Sequence, residues 1–86
     1  MITQAWAAAD KGDFVSARKL FAQAQAIQPR NAEAAYGLGY TTEKLGDSRE
    51  SAIRYYCSAQ QNVGTNTDLA REIAGRLAAL GSDCPE

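Results

Sequence analysis

The sequence predicts an all-α fold of five helices packed as antiparallel pairs. Three observations predict it. The 86-residue chain repeats itself: Gly12-Asp13 returns as Gly46-Asp47, 34 positions on, and Ala17, Phe21 and Ala24 return as Ala52, Tyr56 and Ala59, 35 positions on. Self-similarity at such a period marks a unit that stacks on copies of itself. Helix breakers at Gly12, Pro29, Gly46, Gly64 and Gly81 divide the chain into segments of helical length. Within those segments apolar residues fall at spacings of three and four, one face of an amphipathic helix.

The first helix, Gln4 to Lys11, is alanine-rich with no breaker. Gly12 takes the left-handed conformation that ends it, and Asp13 offers an acceptor to the next helix. The second helix, Phe14 to Ile27, points Phe14, Ala17, Leu20, Phe21, Ala24 and Ile27 to the core, and Pro29 stops it. Asn31 caps a third helix, Ala32 to Leu45, which Gly46 closes. Asp47 or Ser48 caps the fourth, with Ala52, Ile53, Tyr56 and Ala59 inside. One extra residue separates Gly46 from Ala52 compared with Gly12 from Ala17, so an adjusted turn or a distorted first turn is expected there. Asn62 to Asn66 is a turn, Thr65 or Asn66 caps the fifth helix, Thr67 to Leu80, and 82–86 form a tail.

Composition narrows the function. A hydrophobic share of 45 % belongs to a folded chain, and 86 residues suffice for one small core. With a net charge of −1 and no run of like charges, neither a nucleic-acid surface nor a polybasic membrane patch is expected. No apolar run approaches the roughly 20 residues of a membrane span. The start, MITQAWAAADKGD, does not read as a signal peptide and opens inside a helical pattern, so the chain reads as a piece of a longer protein with Met1 added. There is no histidine, no nucleophile elbow and no phosphate-binding glycine loop, so an enzyme is not expected, nor a cofactor or a metal. The near carboxylate pairs Asp10/Asp13 and Glu43/Asp47 sit at helix ends, where capping and dipole effects explain them. Cys57 and Cys84 lack the spacing of a redox pair or zinc site. Two separate thiols and one disulfide both stay open; a disulfide implies an exported protein in the periplasm or envelope, free thiols a cytoplasmic one.

The joint recurrence of Gly-Asp, Ala, Phe/Tyr and Ala, with Pro29-x-Asn31-Ala32-Glu33 between the copies, resembles the tetratricopeptide repeat, a helix–turn–helix unit of about 34 residues. The alanine-rich, glutamine-containing style is similar to bacterial repeat proteins. The resemblance implies a right-handed superhelical stack of antiparallel helix pairs in a single domain over 1–86. Residues 1–30 form a truncated first repeat, 31–65 the second, and 66–81 a C-terminal capping helix. Trp6 is two positions off the family's large-aromatic slot, and Gly64 replaces the proline expected after the fourth helix.

In that family the first helix of each pair lines a concave groove that takes a partner peptide or helix. At ~100° per residue, Ala35, Leu38, Thr42 and Leu45 gather on one side of the third helix, and Glu33, Tyr36, Tyr40 and Glu43 on the other, with Lys44 at the margin. The expected groove carries Trp6, Tyr36 and Tyr40 as apolar anchors, and Glu43, Lys44, Asp68 and Arg71 as polar contacts, with Arg30 and Asn31 at its edge. On the fifth helix, Asp68, Arg71, Gly75 and Ala78 are expected on the groove side. A clamp for a terminal carboxylate is not expected, because Ile2, Trp6, Gly37 and Glu72 stand where its basic and amide groups belong. The function this implies is a protein–protein interaction module, a scaffold in a larger assembly. Alternatives are a spacer that self-associates through an end helix and a disulfide-responsive module.

Overall fold

The computed structural model describes residues 2–81 and Cys84. Among these the chain is all-helical: α1 (Ile2–Asp10), α2 (Phe14–Ile27), α3 (Ala32–Lys44), α4 (Arg49–Gln61) and α5 (Thr67–Ala79). Met1 and the tail, apart from Cys84, lie outside the described residues. Connections of three to five residues fold each helix back on its predecessor, and consecutive helices pack on one another. Beyond nearest-neighbour packing, α1 also touches α3.

The repeated Gly-Asp does the same thing twice. Gly12 and Gly46 stand at φ +82° and +70°, where a Cβ would be strained. The next amide then turns inward: Asp13 donates to Ala8 O at 2.9 Å and Asp47 to Thr42 O at 3.1 Å, closing α1 and α3 alike. The copies part immediately afterwards. Asp13 caps α2 through the Ser16 amide at 3.2 Å. In the second copy Ser48 takes that role, accepting from the Ser51 amide at 3.3 Å, and the inserted residue absorbs the slip without distorting the first turn. Asp47, released from capping, accepts from its neighbour's amide and from Arg18 Nη1, both at 2.9 Å. Those two donors, Ser48 first, hold its carboxyl below the ordinary range. Asn31 and Asn66 cap α3 and α5, accepting from Ala34 and Leu69 at 3.1 Å each.

The repeat also governs packing. Ala17 and Ala52 are fully buried, as are Phe21 and Tyr56. Both rings press on α3: Phe21 covers Gly37, and Tyr56 covers Gly39, where a Cβ would lie 2.6 Å from the ring. Helix α3 is therefore flanked by α1, α2 and α4, and nine of its thirteen residues are buried. Its buried Thr41 hydroxyl is satisfied by the carbonyls of Gly37 at 2.9 Å and Leu38 at 3.2 Å.

Two residues expected in the core are outside it: Ile27 is 67 % exposed and Leu45 36 %. Both stand at helix ends, past the last turn that a neighbouring helix covers. Cys57 on α4 and Cys84 are bonded, with Cα atoms 5.3 Å apart, within the usual span of such bridges. The bond closes a loop that contains α5.

Candidate functional site: a cleft between α1, α3 and α5

Helix α5 buries Ile73 and Leu77 against α4 and stands off α3. The gap is a cleft of about 390 Å³. Trp6, Ala9 and Asp10 of α1 line it, with Glu33, Tyr36 and Tyr40 of α3 and Leu69, Glu72 and Arg76 of α5.

Its floor is an unbroken set of aromatic rings. Trp6 lies 4.7 Å from Phe21, 5.8 Å from Tyr36 and 5.6 Å from Tyr40 between centroids. Tyr36 continues to Tyr56 at 5.8 Å, and Tyr40 to Phe14 at 6.2 Å. Most of these pairs are tilted or edge-on, the geometry the ring quadrupoles prefer. The three expected anchors are packed to different degrees. Tyr36 is only 6 % exposed, and Trp6 is turned inward onto α2 and α3. Because α3 is enclosed on three sides, the side opposite Leu38 is also covered.

Polar groups hold the floor in place. The Tyr56 hydroxyl donates to Glu43 Oε1 at 2.7 Å, and burial first, then that carboxylate, pushes its pKa well up. Burial also raises Tyr36, with Glu72 adding and Arg76 opposing. Arg76 spans the gap: its guanidinium stands 5.2 Å over the Tyr40 ring. Burial opposes its charge, but the nearby Tyr36, Tyr56 and Glu43 oxygens outweigh it and hold its pKa up.

The expected site residues therefore divide. Trp6, Glu33, Tyr36 and Tyr40 come together in the cleft. Asp68 and Arg71 line an adjoining depression with Glu33 and Glu72. The other four are elsewhere. Glu43 is engaged by Tyr56. Lys44 places its Nζ 5.4 Å over the Tyr40 ring without lining the cleft. Asn31 is spent on the α3 cap and on Gln28, to which its Nδ2 donates at 3.0 Å. Arg30 is exposed on the α2–α3 turn, beside a separate hollow.

Five cleft residues escaped the sequence reading, three of them charged. Glu72 and Arg76 sit one position beyond the expected Arg71 and Gly75, a rotation of about 100°. The available signal was the stripe Leu69, Ile73, Leu77: Arg76 flanks it at i+3 from Ile73, on the edge shared with the cleft. Asp10 had been assigned to helix-end electrostatics, but it is the last residue of α1, where the dipole disfavours a carboxylate.

Among the described residues no group of three or more metal-ligating side chains converges. Nor is any helix of the described residues long and apolar enough to cross a membrane. The arrangement offers an aromatic floor with charged edges, suited to holding a side chain or a short segment. Compared with protein-family models, curated proteins and solved structures, the chain gives no match.

Proposed function

We propose that the chain is a short tetratricopeptide-type stack whose cleft between α1, α3 and α5 binds a peptide or helix of a partner protein. It acts by binding, as a scaffold within an assembly, and not by catalysis. The observation that carries this reading is the cleft itself. Helix α5 stands off α3, leaving Trp6 and Tyr40 partly open to solvent, whereas the repeat-equivalent aromatics Phe21 and Tyr56 are fully buried. Rigid aromatic surface offers large contact area at low entropic cost, which suits an interaction site. The repeat-type reading is supported by the twice-used Gly-Asp turn and by the equivalent placement of Ala17/Ala52 and Phe21/Tyr56. The Cys57–Cys84 bond favours an oxidising compartment, where such bonds persist.

The test is affinity capture with two surface variants. Leu69→Arg charges the cleft wall, and Val15→Arg charges an exposed site on α2 that is 63 % accessible. Partners held by the cleft are lost with Leu69→Arg and kept with Val15→Arg. Equal recovery by both refutes the cleft as the binding surface.

A further inference from the structure

The charges around the cleft say what kind of segment fits it. Four carboxylates, Asp10, Glu33, Asp68 and Glu72, line the cleft and its adjoining depression, against Arg71 and Arg76. The chain as a whole carries ten acidic and nine basic residues, so this face is more negative than the rest. Arg76 is already committed to the rings of α3. None of the four carboxylates forms an ion pair among the described residues; the ion pair found there, Arg18–Asp47, is elsewhere. Asp10 adds an independent indication. It stands at the C-terminal end of α1 with no basic residue in the last turn, so its charge opposes the helix dipole and gains nothing from its own helix. Beside these charges lies the Trp6 ring, whose face attracts cations and accepts aliphatic stems, whereas the Tyr40 ring already carries Arg76 and Lys44.

We propose that the occupant of the cleft is a basic segment of a partner protein, with a Lys or Arg head between Glu33, Glu72 and Asp10 and its stem on the Trp6 ring. The proposal rests on the cleft being the binding site and adds the sign of its ligand. A partner of that charge gains both from the unpaired carboxylates and from steered encounter.

Trp6 is the single tryptophan of the chain and lies in the cleft, so its fluorescence reports occupancy. Short oligo-arginine, oligo-lysine, oligo-glutamate and apolar amphipathic peptides of equal length, all free of tryptophan, are titrated into the oxidised protein. The two basic peptides are expected to shift Trp6 emission, less so at high salt. Glu33→Gln or Glu72→Gln weakens them about threefold, and the pair together about tenfold, as rim charges do. Glu50→Gln, exposed on α4, leaves binding unchanged. Equal or tighter binding of the acidic or apolar peptide overturns the basic-ligand assignment while the cleft reading stands. Equal weakening by Glu50→Gln shows diffuse attraction and overturns it too. No response of Trp6 to any of the four peptides overturns both.

Discussion

Replacing glycine by alanine inside a helix ordinarily stabilises it by about 0.5–1 kcal/mol, because glycine loses more backbone freedom on folding. Three glycines lie inside helices here, and the structure assigns them opposite signs. A Cβ on Gly75 of α5 meets nothing within 4 Å, so Gly75→Ala gains the full amount. A Cβ on Gly39 meets Tyr56 ring carbons at 2.6, 2.7 and 3.0 Å. Ordinary carbon contacts are about 3.5–4.0 Å, so the ring must retreat by about 1 Å. It has nowhere to go: Tyr56 is fully buried, and its hydroxyl is held by Glu43 at 2.7 Å. Overpacking of this kind costs about 1–3 kcal/mol, and a rigid ring places it at the upper end. With the helix gain subtracted, Gly39→Ala destabilises by about 2 kcal/mol. Gly37→Ala, against the fully buried Phe21, does the same. For a domain of this size the midpoint falls by about 8–16 °C in those two and rises by about 2–8 °C in Gly75→Ala. Thermal unfolding followed by circular dichroism measures all three. A rise in midpoint for Gly37→Ala or Gly39→Ala refutes the socket argument. Combining Gly37→Ala with Phe21→Leu should cost less than the sum of the two, by at least about 0.5 kcal/mol, since they share one contact.

Reduction of Cys57–Cys84 releases a loop with a sequence separation of 27. The chain-entropy relation gives a loss of about 3.5 kcal/mol, and thermal scans with and without a reductant check it; an unchanged midpoint refutes the tie. The tyrosines predict an alkaline limit. Tyr36 and Tyr56 have folded pKa values above the unfolded value of 10.0, so both states keep the protons below that pH and no stability is lost. Above it the unfolded chain ionises first, and stability falls by about 1.4 kcal/mol per pH unit for each tyrosine until the folded pKa is reached. Denaturant titrations above pH 10 should show a shallower decline in Tyr56→Phe; an identical decline would assign the alkaline loss to other groups.

The helices were legible because their stops are chemical and local. Gly12, Gly46, Gly64 and Gly81 all take positive φ, and each cap except the Asp47/Ser48 and Thr65/Asn66 choices follows from a side-chain acceptor placed beside a helix start. The cleft was only half legible. A helical wheel assumes one buried side, and α3 has almost none exposed; the run AEAAYGLGYTT, with Glu33 as its one charge, already carried that signal. Placing Arg76 required knowing how α5 rolls on α4, which depends on Ile73 and Leu77 finding a partner far away in sequence. The cysteine pairing depended on where the tail returns, which spacing alone does not encode.

The rings under the cleft have a consequence for how such a protein can diverge. Trp6, Tyr36 and Tyr40 belong to the same aromatic set as Phe21 and Tyr56, so altering them for a new ligand also disturbs the packing of four helices. Asp10, Glu33, Asp68, Arg71 and Glu72 are exposed, and substitutions at such positions usually change stability by less than about 0.5 kcal/mol. In the proposed binding role, drift in ligand preference is thereby channelled to the edge of the cleft. Under that proposal, descendants of this chain would change partners by exchanging charges while inheriting the aromatic platform unaltered.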